Sequence, residues 1–518
     1  MNIRALWPLC LAAVLLLSLF LRLSYLFFLG DFISADEAVG GLMALHIAQG
    51  KEFPLLLWEA HYGGTLISYL GALLFLFIEP SPFTFRLAAL PLDLVGIGLL
   101  SAAAHSLWGI GPAAAAALWL AAGPPLLFAM SSQAIGGYVE VLAFGGLGLW
   151  LAVRLAQRAP RVSGTAWDWT LLGAVGGLGT YSLAFVLPLF AGALWALRRE
   201  REGLTPRESV GLAAGFLVGF SPILLYNIVH GGASALRLAG RVLDVSRAEL
   251  GGTSSVSLLF IHKGIAYSLR LLKFPSSVVG NLPVFLGLSP WAAAGVIALF
   301  AGGILVACRR SASAREVAST RPEGKFGLAL IGWCTLATLL FVWVLGLDAP
   351  RHLFPFYLLV PLALAALWQR LARGWRVVGW GGLALLLLSN VAGTVHDARE
   401  AGPRVAGLMK ALDSRDIRFV YTDYWIAYPL IFLSREMLLA SPLAGPVNVE
   451  RRPAYTQAVE GSPRPAYVFR LDAEASAVFV REMRRHGNPF IQEQIGEFDL
   501  YVPARHVRPD ELALLRQF

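Results

Sequence analysis

Hydrophobic residues in this chain fall in long unbroken runs, most of them closed by a short polar segment rich in arginine. An α-helix rises 1.5 Å per residue, so about 20 apolar residues match the ~30 Å hydrocarbon core of a bilayer. Runs near 5–28, 84–107, 112–130, 140–156, 168–181, 183–197, 209–228, 290–308, 326–346, 353–371 and 377–394 predict about 11 membrane spans. The 168–197 stretch is short for two full spans yet has basic residues on both sides, so it reads as a hairpin of short helices. Thr65 to Ile78 is apolar too, but it is short for a span and ends at Glu79-Pro80. It reads as an interfacial helix lying on the membrane.

Beyond about residue 395 the pattern changes. Charged residues become frequent, and Phe419-Val420-Tyr421, Ala466 to Leu471 and Phe498 to Val502 look like strands. Ala473 to Arg485 has helical spacing, with a stop at Gly487. The expected fold is therefore mostly α: a polytopic helical membrane module over 1–394, then a separate, small α/β domain over 395–518.

Composition agrees with a membrane chain. Of 518 residues, 57% are hydrophobic and 14% charged, where a soluble domain carries about 25% charged. The formal charge of +9 comes from arginines clustered in short loops, around 154–161, 198–207, 309–325 and 370–376. That is the pattern of the positive-inside rule rather than of nucleic-acid binding. It predicts a multi-pass protein of a bacterial-type inner (cytoplasmic) membrane, with the N-terminus in the cytoplasm and the C-terminal domain outside. The expected extracytoplasmic segments are a first loop over 29–83, a short loop at 131–139, a long loop over 229–289 and the tail. The first run lacks a cleavage site and reads as an uncleaved span. Cys10, Cys308 and Cys334 all lie in apolar runs and form no metal-binding spacing.

The first loop opens Asp31-Phe32-Ile33-Ser34-Ala35-Asp36-Glu37-Ala38-Val39-Gly40-Gly41. A carboxylate at headgroup level suits one chemistry in particular. A sugar on a lipid phosphate sits in that plane, and an acceptor hydroxyl must lose a proton to attack its anomeric carbon. Asp36 and Glu37 equally suit the first turn of a helix over 38–49, where acids meet the helix dipole.

The order of several motifs resembles the GT-C glycosyltransferases, including the protein O-mannosyltransferases and the lipid A aminoarabinose transferases. Asp36-Glu37-Ala38 follows one span. Tyr62-Gly63-Gly64-Thr65-Leu66-Ile67-Ser68-Tyr69 then precedes Ser81-Pro82-Phe83-Thr84-Phe85-Arg86-Leu87. Gly136-Gly137-Tyr138-Val139-Glu140 stands where that family often carries a second acid, and Pro350-Arg351-His352-Leu353-Phe354-Pro355-Phe356-Tyr357 is similar to its late Arg-Tyr-x-x-Pro helix. The likeness covers about 1–370. It implies transfer of a sugar from a polyprenyl-phosphate donor to a glycan, lipid or protein acceptor outside the membrane, with Asp36 as base and Glu37 beside it. The chain departs from the family in having Glu140 where many members have Pro-Asp. It also lacks the Trp-Trp-Asp-Tyr-Gly signature of oligosaccharyltransferases, and Asp423-Tyr424-Trp425 is too short to stand for it.

A donor phosphate needs cations. Arg86 and Arg351, both at span ends, together with His352, are the candidates, with Lys263 (and Arg270, Lys273) in the long loop behind them. Snorkelling to headgroups is the plain alternative for the arginines. Glu140, Tyr138, His61 and Tyr62 are expected at an acceptor or second acidic site. No cofactor is certain; a divalent metal on Asp36, Glu140 and His61 is left open. Arg22 and Asp93 lie within spans at depths differing by only about 5 Å, which predicts a structural ion pair. The rival function is a transporter or flippase of lipid-linked glycans. Transporters tend to show two related halves, and no internal repeat is present here.

Overall fold

The computed structural model describes residues 3–158, 166–201, 203–239, 322–345, 350–371, 373–402, 404–443, 449–471 and 473–512. The expected span at 290–308 and Lys263, Arg270 and Lys273 lie outside the described residues.

Among the described residues, the regular elements of the membrane part are helices. In order come α1 (Ile3–Leu29), α2 (Ala35–Ala48), α3 (Leu66–Phe75), α4 (Pro82–Leu87), α5 (Ala89–Trp108), α6 (Ile110–Ala121), α7 (Pro125–Ser132), α8 (Tyr138–Ala156), α9 (Ala166–Ser182), α10 (Val186–Glu200), α11 (Pro206–Val229), α12 (Pro322–Val344), α13 (Phe356–Arg370) and α14 (Arg373–Arg399). Among the described residues, 6 helices have the length and apolar character of a full span, and the bent pair α6–α7 makes up to 7. The pair bends by 72°, at Gly123-Pro124-Pro125, where proline removes the backbone donors a straight helix needs. The expected runs 168–181, 183–197 and 353–371 are helices of 17, 15 and 15 residues.

Small residues set the close packing. Gly173 and Gly177 of α9 face the backbone of α11, and Gly211, Gly215 and Gly219 of α11 face that of α9. A Cβ at Gly215 would stand 1.9 Å from the Thr170 carbonyl oxygen. Two four-residue ladders of glycine thus let the helix axes approach as in a small-xxx-small pair. The intramembrane charges do pair: Arg22 Nη2 donates to Asp93 Oδ1 at 2.9 Å, and Arg22 Nη1 donates to Ser18 Oγ at 2.8 Å and the Ala121 carbonyl at 3.0 Å.

The tail holds α15 (Ala406–Asp413), β1 (Phe419–Thr422), α16 (Tyr424–Leu433), β2 (Leu439–Pro442), α17 (Pro453–Glu460), β3 (Ala466–Arg470), α18 (Glu474–Arg485), β4 (Phe490–Ile495) and β5 (Phe498–Pro503). Its five strands form one sheet in the order β2-β1-β3-β5-β4. β1 runs parallel to both β2 and β3, while β5 pairs antiparallel with β3 and β4.

The tail is an α/β unit, but it is not set apart. One hydrophobic core joins Ile33, Leu42 and Met43 of the first-loop region to Phe85 and to Tyr428, Ile431 and Phe432 of α16. At Gly41 of α2 a Cβ would lie 2.6 Å from the Phe432 ring, so the two helices touch where only hydrogen fits. The expected boundary at 394/395 also falls inside α14, which continues to Arg399.

Candidate active site

α2 starts where Ser34 accepts a hydrogen bond from the Glu37 backbone N–H at 3.3 Å, an N-cap that fixes the direction of the next two side chains. Successive helical residues point about 100° apart, so Asp36 and Glu37 take different surroundings. Glu37 is fully buried. Arg86 of α4 grips it through Nε–Oε1 at 2.7 Å and Nη2–Oε2 at 2.8 Å, and the Ala134 N–H donates to Oε1 at 3.1 Å. This two-point clamp ties the first loop to the α7–α8 junction.

Two sequence expectations change with it. Arg86 has no exposed surface; its Nη2 also donates to the Phe32 carbonyl, and it serves Glu37. A phosphate outside has no surface of this side chain to meet. Glu37 in turn is locked in an ion pair and has no exposed surface to offer a substrate. The pairing was not legible in the sequence, where Arg86 stands 49 residues from Glu37.

Asp36 faces the other way and is half-buried. Its Oδ1 accepts a hydrogen bond from the Tyr424 hydroxyl at 2.6 Å, across 388 residues of chain. Among the described residues no second hydrogen bond reaches this carboxylate, so Oδ2 is open. Asp423 caps α16 by accepting from the Ile426 N–H at 3.0 Å, which aims Tyr424 at the first loop. Arg451, in the segment after β2, places its guanidinium 5.9 Å from the Tyr424 ring centre. Burial, and then the neighbouring Asp36 carboxylate, push the Tyr424 phenol well above its ordinary range, so it keeps its proton. Tyr62 and Asp36 both lie within electrostatic reach of Arg451.

Tyr138, the first residue of α8, lies within electrostatic reach of Arg351, Asp36 and Tyr62. Its ring meets Phe354 edge-on at 5.4 Å. Arg351 is exposed, in a 3-10 turn (Pro350–Leu353) at the start of α13. The structure therefore brings together Asp36, Tyr62, Tyr138 and Arg351 from the sequence reading, and adds Tyr424 and Arg451 from the tail.

The remaining candidates take other places. Glu140 is buried, and its Oε2 accepts from the Gly137 N–H at 3.0 Å, closing the start of α8. His61 Nδ1 is bonded to the Tyr226 hydroxyl at 2.7 Å. The His352 ring lies 6.0 Å from that of Phe185. With His61 and Glu140 so engaged, no group of three metal-binding side chains forms among the described residues.

No family model matches this sequence, and no curated protein matches it. Its structure is similar to the crystal structure of ArnT from Cupriavidus metallidurans in the apo state, with a TM-score of 0.59 at 12% identity, covering 96% of this chain and 98% of that one. The chain has the GT-C fold. Two further solved structures align over most of the chain. ArnT from Cupriavidus metallidurans bound to undecaprenyl phosphate gives a TM-score of 0.48 at 12% identity, over 96% of this chain and 98% of that one. The Archaeoglobus fulgidus oligosaccharyltransferase in complex with Zn and sulfate gives 0.49 at 12% identity, over 94% of this chain and 72% of that one. The GT-C fold accounts for the long spans and the helical first loop.

Proposed function

We propose that this chain is a membrane glycosyltransferase that moves a sugar from a polyprenyl-phosphate donor to an acceptor hydroxyl on the extracytoplasmic side. The observation that carries it is Asp36. One of its oxygens is fixed by Tyr424 and the other is open, at the junction of the first loop, a span end and the tail. In the proposed step the acceptor O–H gives its proton to Oδ2 as its oxygen bonds to the anomeric carbon. The bond from that carbon to the donor phosphate breaks, and polyprenyl phosphate leaves with the electron pair. Because Glu37 is tied to Arg86, one carboxylate serves the reaction. A single displacement from the face opposite the phosphate inverts the anomeric centre, which distinguishes it from a two-carboxylate double displacement. Arg351, an exposed cation at a span end within electrostatic reach of Tyr138, supplies the proposed hold on the phosphate.

With the basic loops in the cytoplasm, Asp36 and the tail face outward from an inner membrane. The motif order and the GT-C fold support this reading over a flippase, which has no use for a carboxylate held by one oxygen.

The test is Asp36→Asn, which keeps the shape and loses the base. Transfer should fall about 10²- to 10⁴-fold, read as release of polyprenyl phosphate from donor lipid extracted from a strain lacking the chain. Donor binding should persist. A well-folded Asp36→Asn protein that transfers at the normal rate would return Asp36 to a helix-capping role.

A further inference from the structure

The tail contributes Tyr424 and Arg451 to the site. Three features make it part of it. The parallel strands β2, β1 and β3 share one carboxyl edge, and ligand sites of α/β sheets gather at that edge. The chain leaving β1 there is Thr422-Asp423-Tyr424, and the segment following β2 carries Arg451. This edge faces α2, so the sheet delivers a phenol and a guanidinium to Asp36.

We infer that Tyr424 is a positioning residue for the transfer reaction: by donating to Asp36 Oδ1 it fixes the carboxylate plane so that Oδ2 meets the acceptor hydroxyl. The inference rests on the reading of Asp36 as the base. The geometry supports it at each step. The Tyr424–Asp36 bond is 2.6 Å long. The Arg451 guanidinium lies 5.9 Å from the Tyr424 ring centre and has no acceptor to offer, so the phenolic proton is left to Asp36. Tyr424 itself is buried, and its ring stands edge-on to Tyr428 at 5.2 Å and to Trp425 at 5.3 Å, so it has little freedom to turn. A carboxylate free to rotate about χ2 spends much of its time with neither oxygen on the reaction line, and orientation is a large share of catalysis. The arrangement has the logic of a base oriented by a third group.

The experiment uses four full-length proteins: wild type, Tyr424→Phe, Asp36→Asn and the double variant. Each is purified and added to membranes of a strain lacking the chain, which supply the acceptor. Donor lipid extracted from that strain is titrated, and release of free polyprenyl phosphate is followed by mass spectrometry. Tyr424→Phe keeps the ring and should keep the melting temperature. It should lower kcat roughly 10- to 100-fold, the range of one lost hydrogen bond to a charged group, with the donor KM within about 2-fold. In the Asp36→Asn background the same change should cost nothing more, because the group it orients is no longer a base. Equal losses in the two backgrounds would show that Tyr424 acts elsewhere and overturn the inference. So would a fully active Tyr424→Phe beside an inactive Asp36→Asn, which leaves the base assignment standing. A fully active Asp36→Asn removes the base assignment itself, and the inference with it.

Discussion

At the scale of the residue, the chain is easiest to read where the surroundings leave a side chain few choices. Arg22 and Asp93 were legible as a pair because hydrocarbon offers a charge no other partner. The contact is tight, with Arg22 also held by Ser18 and the Ala121 carbonyl. Removing one member strands the other in the membrane, at a cost on the order of 3–5 kcal/mol. Arg22→Leu or Asp93→Leu alone should therefore lower the folded yield in detergent more than the double change does. Equal losses in all three variants, read by size-exclusion profile, would mean that the two residues act independently. Asp36 and Glu37 show the opposite case. Adjacent acids look alike in a sequence, and only the phase of α2 decides that one meets Arg86 and the other Tyr424.

Elements were legible in proportion to their length. Among the described residues the long runs are helices close to their expected bounds, except that 112–130 is the bent pair α6–α7, and the 168–197 hairpin appears as α9 and α10. Two of the tail's elements that the sequence did not announce lack a period. β2 has four residues, too few for an alternation, and α16 is apolar on every side, so its sequence Tyr424 to Leu433 carries no period. The glycine run 173–179, by contrast, announces close packing, and the structure supplies its partner in α11. Gly177→Val tests that seam. Its side chain would begin 2.2 Å from the Phe216 carbonyl oxygen, and overpacking of this kind costs about 1–3 kcal/mol. A lower unfolding temperature, with Gly332→Val unchanged as an exposed control, is the expected result. Gly332 is suited to that role because a Cβ there would meet no atom within 4 Å.

At the scale of the molecule, the seam between tail and first loop decides whether the site exists, and it is held by ionisable groups. His46 of α2 bonds Glu52 through Nδ1 at 3.0 Å and Glu436 of the tail through Nε2 at 2.7 Å. Tyr455 and Lys51 also donate to Glu436, and Arg452 donates to Glu52. None of this was visible in the sequence, since the partners of His46 and Glu52 lie up to 400 residues away. Burial works against a charge on His46, yet its bonds to Glu436 and Glu52 prevail and raise it above 6.5. Burial likewise works against ionisation of Glu436, but the bonds from His46, Tyr455 and Lys51 bring it down to about 2. Glu52 is lowered in the same manner, with His46 and Arg452 outweighing burial. The signs then follow from linkage. The raised His46 stabilises docking fully below its ordinary value of 6.5, and that contribution is lost as pH rises through the raised one. The lowered carboxyls stabilise docking above their ordinary 4.5, and theirs is lost as pH falls toward about 2. Docking should be tightest between about pH 4.5 and 6.5 and should loosen on the alkaline side. Amide exchange of α2 and α16, corrected for the intrinsic effect of pH, should therefore lose protection as pH rises from 6 to 9. His46→Gln should abolish that alkaline loss and shrink, without abolishing, the acid limb, because Tyr455, Lys51 and Arg452 still hold the carboxyls. Protection that stays level over the alkaline range in the wild-type protein would show that the apolar contact of Phe432 with α2 holds the tail by itself.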